Sequence, residues 1–318
     1  MMRLPWRTWR LLGPWGRAFV RAALVLVTLH VLVMRWAIVQ SISMYATLTT
    51  GDVLVVERWP KWTGLERGDI IIFRDPTQDH EALTKRRSMV KRLIGLPGDT
   101  VIISSGKVFV NGRSIGPFPG ETRRYLVQVS DSMPREQLLD LLGLPAELSP
   151  RPTGPMELPL TEERARDLLG NGLVERAEPF SASRGRQRHL FPFSARHAWN
   201  SDNYGPFEVP RKGALVPLDV DELPRYDRII TQYEGHDLQV SRGQILLDGQ
   251  RVDHYRIEQD HFFVLGDARH NSSDSRFWGT VPEDHIIGRA RAIICSWNEE
   301  KQRFRSERWF RTIDQRQL

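Results

Sequence analysis

The sequence predicts a mostly β protein: twisted antiparallel sheets, interrupted by an inserted α+β subdomain and preceded by one N-terminal transmembrane helix. Short apolar stretches recur between turn residues, and the 318 residues include 20 prolines and 24 glycines, a composition rich in turns. The middle of the chain instead carries helix-like patches. The N-terminus carries a long apolar run without acidic residues.

The N-terminal segment is basic and then apolar. The first acidic residue is Asp52, and the run from Ala22 to Met34 lies between Arg21 and Arg35. Taken as residues 18–40, the segment would span roughly 34 Å as a helix, enough for a hydrocarbon core. The arginines before it would keep residues 1–17 in the cytoplasm and place the rest of the chain outside.

A cleaved signal peptide is the alternative for the same segment. An apolar stretch of about 13 residues fits such a peptide, and Ser41-Ile42-Ser43 resembles a cleavage site between small residues. Arg35 and Trp36 lie between the apolar run and that site, which is unusual for a cleaved peptide. We therefore predict a membrane anchor.

Strand signals begin directly after the anchor. Asp52–Glu57 and Asp69–Arg74 are short apolar runs typical of buried strands, and Asn111-Gly112 is a strong hairpin signal. The hairpin at 106–112 has a counterpart of similar pattern at 243–249. Two similar hairpins so far apart predict one β domain, residues 41–117 and 204–318, interrupted by an insertion.

The predicted insertion covers residues 118–203. Two helix-like patches occur in it, Pro134–Leu142 and a second that begins at Thr161, a plausible N-cap, and runs through Leu169. We expect a subdomain with its own small core and without recognisable chemistry.

Composition excludes several classes of function. The net charge of +6 and pI near 9.7 come from basic residues spread along the chain, which favours a lipid bilayer as partner over nucleic acid. The single cysteine, Cys295, excludes an intramolecular disulfide. Without cysteine pairs or a His-Glu-x-x-His pattern we expect no metal site, and we expect no cofactor.

Two segments carry candidate catalytic residues. Ser43 lies in a polar stretch just after the anchor. Lys91 follows Val90 and precedes apolar residues, so its segment should be buried. Burial disfavours the ammonium form, and a neutral lysine can take a proton from a serine hydroxyl. A lysine that reaches solvent from a strand is the alternative.

The third segment, 266–279, is a dense polar run after an apolar strand. Asp274 and Arg276 are spaced to form an ion pair that supports the loop, and Ser272 could hydrogen-bond a nearby amine. His270 with Asp267 also leaves a Ser/His mechanism open as an alternative.

Together, in this order, the three segments resemble the motifs of the bacterial type I signal peptidase family, serine proteases with a Ser/Lys dyad. The family patterns are Ser-x-Ser-Met-x-Pro-Thr-Leu, Lys-Arg-x-x-Gly-x-Pro-Gly-Asp and Gly-Asp-Asn-Arg-x-Asn-Ser-x-Asp-Ser-Arg-x-Trp-Gly. The chain departs from them at Ala46, where proline is usual, and at Ala268, where asparagine is usual. His270 stands at the variable position of the third pattern, where aspartate is common. We expect Ala46 to make the loop after Ser43 less rigid.

The resemblance implies a role for each matching residue. Ser43 would be the nucleophile and Lys91 the general base. Ser41 would join the Ser43 backbone N–H in the oxyanion hole, and Ser272 would orient the lysine. Structural support would come from Asp267, Arg269, Asp274 and Arg276.

The resemblance also implies what the protein does and where. The expected substrates are the signal peptides of exported preproteins, cut after a small-x-small pattern on the outer side of the bacterial inner membrane, near the secretion machinery. A self-cleaving repressor-type protease is the enzymatic alternative. A membrane-tethered module that only binds peptides, or an inactive homologue, is the non-enzymatic one.

Overall fold

A computed structural model of the protein describes residues 13–28, 34–151, 155–183, 185, 187–194 and 196–313. The predicted mostly β architecture is confirmed: these residues form many strands and few, short α-helices. The α-helices are α1 (Pro14–Thr28), α2 (Pro60–Thr63), α3 (Arg135–Leu142), α4 (Glu162–Gly170) and α5 (Ser275–Trp278). The strands are β1 (Met34–Ile38), β2 (Asp52–Glu57), β3 (Ile70–Arg74), β4 (Ser88–Gly95), β5 (Thr100–Ser104), β6 (Lys107–Val110), β7 (Arg113–Ile115), β8 (Arg123–Val129), β9 (Met156–Leu160), β10 (Val174–Pro179), β11 (Tyr204–Glu208), β12 (Leu215–Pro217), β13 (Leu238–Ser241), β14 (Gln244–Leu247), β15 (Gln250–Arg251), β16 (His254–Arg256), β17 (His261–Leu265), β18 (Val281–Pro282), β19 (Ile286–Asn298), β20 (Arg303–Phe304) and β21 (Arg311–Thr312).

The largest sheet is antiparallel and runs in the order β1-β2-β19-β3-β4-β17-β18, with β20 and β21 pairing along β19. Successive side chains of β3 point to opposite faces. Ile70 and Ile72 pack into one apolar core, and Ile71 and Phe73 into another. The sheet is therefore buried on both faces, which explains why β3 is a continuous apolar run.

The hairpin predicted at Asn111-Gly112 is confirmed. Both residues have positive φ, 51° and 78°, as a two-residue type I′ turn between β6 and β7 requires. These strands belong to a four-stranded sheet with the order β11-β5-β6-β7.

The second hairpin, between β14 and β15, belongs to a different sheet. Strands β13, β14 and β15 form a small sheet of their own, and β12 pairs with β16. Residues 218–257 enclose a separate apolar core that includes Leu218, Ile230 and Tyr255. Residues 218–257 therefore form a second small subdomain within 204–318, the second part of the predicted β domain.

Within the predicted insertion, β8, β9 and β10 form a three-stranded sheet that α3 and α4 accompany. Both predicted helices are present, and the Thr161 side chain accepts a hydrogen bond from the Arg164 backbone N–H as an N-cap. A core that includes Leu138, Leu158 and Leu168 lies among these elements.

The predicted transmembrane helix over residues 18–40 is wrong in its last part. Helix α1 ends at Thr28, and Met34–Ile38 is a strand that pairs with β2 from Met34 opposite Glu57 to Ile38 opposite Val53. Strand β2 pairs with β19 on one side, and its other edge forms the backbone hydrogen bonds with Met34–Ile38. In the described ranges no helix has both the length and the apolar character needed to cross a membrane. Residues 1–12 of the predicted cytoplasmic segment, and residues 29–33, lie outside those ranges.

Candidate active site

Ser43 lies in a single 3₁₀ turn, Ile42–Met44, between β1 and β2. The side chains of Met44 and Leu48 are buried in the core against Leu54 and Val56. These two apolar side chains anchor the segment that directly follows Ser43. Ser43 is consequently held in place and is itself 7% exposed.

Lys91 lies in β4 and points at Ser43. Its Nζ donates to Ser43 Oγ over 2.7 Å and to the Val90 carbonyl oxygen over 3.2 Å. The lysine is only 3% exposed. Burial lowers its pKa to about 8, although the negative charges of Asp274, Asp75 and Asp267 act in the opposite direction. The predicted pair is brought together, and the lowered pKa lets its lysine give up a proton at about pH 8.

The two other serines flank the pair differently. The Ser41 and Ser43 hydroxyls lie 3.1 Å apart, so Ser41 reaches the nucleophile's own oxygen. Ser272 is buried, but its Oγ has no hydrogen-bond partner in the part of the chain that the structure describes. The predicted hydrogen bond from Ser272 to the Lys91 amine is therefore not formed.

The loop after β17 closes the site around the Ser43 backbone. The Ala268 N–H donates to the Ser43 carbonyl oxygen over 3.1 Å. A Cβ at Gly266 would collide with both that oxygen and the Ser272 hydroxyl. Glycine is needed here because the loop and the serine turn approach each other through their backbones.

Arg92 is a structural residue of the site to which sequence reasoning assigned no role. It is completely buried, and its Nε and Nη2 donate to Asp267 Oδ1 and Oδ2, each over 2.7 Å. Thr47 also donates to this carboxylate. Asp267, in the loop after β17, is therefore hydrogen-bonded both to β4 through Arg92 and to the loop after Ser43 through Thr47. The sequence did hold a signal for this role. Arg92 is a charged residue next to Lys91 in a segment expected to be buried, and a buried arginine needs a carboxylate partner.

The remaining predicted support residues form two buried ion pairs. Arg276 forms the predicted ion pair with Asp274, and its Nε and Nη2 each lie 2.8 Å from a carboxylate oxygen. The Gly266 N–H also donates to Asp274. Arg269 pairs with Glu121, which the sequence did not indicate, over 2.7 Å. Both pairs fix the loop that carries Ser272.

His270 does not face the nucleophile as a base would. Its Nδ1 accepts the Arg124 backbone N–H over 3.1 Å, and its Nε2 lies 2.9 Å from Asp202 Oδ1. Both ring nitrogens are therefore used, and Asp267 pairs with Arg92 instead of His270. The Ser/His alternative is not assembled.

Ala46 has a left-handed backbone, with φ of 72°. Alanine pays on the order of 1 kcal/mol for this conformation. The next residue, Thr47, donates hydrogen bonds to Asp267 and to the Pro119 carbonyl oxygen, and these contacts hold the turn.

In the described ranges no group of three or more His, Cys, Asp or Glu residues is placed to bind a metal.

Several known proteins are similar to this chain in sequence. A family described as "signal peptidase, peptidase S26" matches residues 12–144 and 212–297. A signal peptidase I of Pseudomonas fluorescens is 23% identical over 315 residues, which cover 92% of this chain and 75% of that protein. A signal peptidase I of Helicobacter pylori J99 is 30% identical over 122 residues, 34% of this chain and 41% of its own length. Signal peptidase I P of Bacillus subtilis subsp. natto is 36% identical over 102 residues, 32% of this chain and 51% of that protein.

Proposed function

The chain belongs to the signal peptidase family and is a serine peptidase, and from this premise we propose that it is membrane-bound and removes signal peptides from exported preproteins after a small-x-small pattern. The observation that carries the proposal is the 2.7 Å contact between the buried Lys91 Nζ and Ser43 Oγ. A lysine held without solvent beside a serine hydroxyl is suited to act as a general base.

In the proposed mechanism Ser43 Oγ attacks the carbonyl carbon of the last signal-peptide residue, while Lys91 takes the hydroxyl proton. The oxyanion of the tetrahedral intermediate accepts hydrogen bonds from the Ser43 N–H and the Ser41 hydroxyl. Lys91 then gives its proton to the leaving amine, which departs with the mature protein. Water hydrolyses the acyl-enzyme, again through Lys91.

The sheet offers an edge on which an extended substrate could lie. Strand β17 pairs with β4 only between Arg92 and Gly95, whereas β3 pairs with β4 from Ser88 onward. Residues 88–91 of β4 therefore have no described strand on the β17 side. We propose that the signal peptide adds a strand here, with its last residue at Ser43.

Purified full-length enzyme in detergent, incubated with a preprotein, tests this function. We expect a single cut after the small-x-small pattern, read as the new N-terminus by mass spectrometry. The matched control is a preprotein with tryptophan as the last signal-peptide residue, which should not be cut. Cleavage at unrelated positions, or undiminished cleavage by Ser43→Ala, would refute the proposal.

We also propose that the protein is anchored in the bacterial inner membrane, with its N-terminus in the cytoplasm and its catalytic domain on the periplasmic side. Helix α1 exposes several large apolar side chains, among them Phe19, Leu24 and Leu26. Exposed apolar surface of this extent needs a partner, and no acidic residue precedes Asp52. This arrangement would put the enzyme close to the secretion machinery.

Two tryptophans could hold the catalytic domain at the bilayer. Trp59 and Trp62 lie at the short helix α2, and they are 37% and 61% exposed. Tryptophan is favoured at the headgroup level of membranes. We expect Trp59→Ala combined with Trp62→Ala to slow cleavage of a vesicle-embedded preprotein several-fold more than cleavage of a short soluble peptide. Exposed Phe193→Ala is the control, and equal losses on both substrates would assign the tryptophans to the fold.

A further inference from the structure

A cavity of about 330 Å³ lies on one face of the large sheet, next to the part of β4 that precedes Lys91. Its floor is apolar and includes side chains of β2, β3 and β19, Val56, Ile72 and Ile287. Its rim is formed by Arg35, Trp36, Arg74 and Ser88.

The rim carries two positive charges that are not neutralised. In the described part of the chain no ion pair joins Arg35 or Arg74 to a carboxylate, and Arg74 Nη1 donates only to a backbone carbonyl oxygen, that of Arg86. The neighbouring Asp75 carboxylate accepts two hydrogen bonds from Thr77. Arg35 and Arg74 line the same cavity, so their like charges lie on one rim. Burial, and next the charge of Arg35, lower the pKa of Arg74.

The rim includes a residue of β4 that lies a few positions before Lys91. Ser88 is paired with Arg74 in the sheet register and precedes Lys91 by three residues on β4. At about 3.3 Å per residue, Ser88 is roughly 10 Å from Lys91 along the strand. A substrate strand on the open edge of residues 88–91, with its last signal-peptide residue at Ser43, would bring its fourth to sixth residues before the cleaved bond to the rim.

On the basis of the proposed function, we propose that Arg35 and Arg74 are specificity-determining residues that read the charge of the signal peptide four to six residues before the cleaved bond. A carboxylate at that place receives charge-assisted hydrogen bonds from the guanidinium groups. Lysine or arginine there is rejected, because a third positive charge would join two that already repel each other.

Short peptides that differ only in the fifth residue before the cleaved bond, glutamate, glutamine or lysine, test this inference with the full-length enzyme in nonionic detergent. We expect kcat/KM for the glutamate peptide to exceed that for the lysine peptide by on the order of tenfold at low salt, and less at high salt. In the double variant Arg35→Gln/Arg74→Gln the ratio should approach one. The control Arg113→Gln, an exposed arginine on β7, should keep the wild-type ratio. A ratio within one enzyme does not depend on how much of it is folded.

Binding separates this inference from the proposed function. The Kd values of the same peptides for Ser43→Ala, measured by fluorescence anisotropy, should show the same charge preference whether or not the wild type cuts them. A glutamate-to-lysine ratio near one in the wild type, or an unchanged ratio in the double variant, overturns the inference. If the peptides show no preference and the double variant instead loses cleavage only in vesicles with phosphatidylglycerol, the rim binds lipid headgroups and the inference is equally overturned.

Discussion

Replacing Ser43 with alanine, or Lys91 with methionine, is expected to lower kcat by on the order of 10³ or more. Both effects follow from one contact, the hydrogen bond between Lys91 Nζ and Ser43 Oγ. The double variant should be little slower than either single variant, because each residue is useless for proton transfer without the other. Single-turnover kinetics on a short signal-peptide substrate measures the effect directly.

Methionine is chosen for position 91 because it fills a similar volume without a charge. Since burial of the ammonium is unfavourable, Lys91→Met should unfold at an equal or higher denaturant concentration than the wild type. The control Lys107→Met, on β6, should have wild-type activity. Folded Lys91→Met with activity within tenfold of the wild type would exclude lysine as the base.

Activity should depend on pH through the Lys91 amine. The base must be unprotonated, and its pKa is lowered to about 8, so the active fraction falls as pH falls below that value. We expect kcat/KM to decrease about tenfold for each pH unit below 8, to be about a hundredfold below its plateau at pH 6, and to level off above pH 9. A pH profile measured where chemistry limits the rate checks this.

Asp75→Asn provides a matched test of that assignment. The negative charge of Asp75 favours the protonated form of Lys91, so its removal should move the profile toward lower pH. Asp253→Asn, at an exposed aspartate, should leave the profile in place. A profile that is flat between about pH 5 and 9, or that ignores the charge at position 75, would contradict a lysine base.

Much of the β architecture could be predicted because buried strands leave a local pattern. Continuous apolar residues mark β2 and β3, and Asn111-Gly112 marks a turn that needs positive φ at both residues. Strand β1 could not be found in this way. Its composition resembles the end of a membrane anchor, and only pairing with β2, whose residues come 15 to 23 positions later, makes it a strand.

The candidate site could be predicted as far as its residues lie in recognisable segments. Ser43, Lys91 and the loop that contains Ser272 were found because their three segments, taken together and in this order, resemble the motifs of one family. The partners Glu121 and Asp202 were missed, because they meet Arg269 and His270 across 148 and 68 residues of chain. A partner of that kind leaves no local signal, since many aspartates and glutamates are equally available until the chain folds.

The backbone at position 46 does not accept the proline of the family pattern. Proline, the residue of the family pattern, needs φ near −65°, whereas Ala46 has φ of 72°. A proline here would have to turn the loop away from the contacts that Thr47 makes with Asp267 and Pro119. Glycine is compatible with the present loop, and proline is not. Ala46→Pro alone is therefore incompatible with the loop, and proline at this position would require compensating changes elsewhere in the loop.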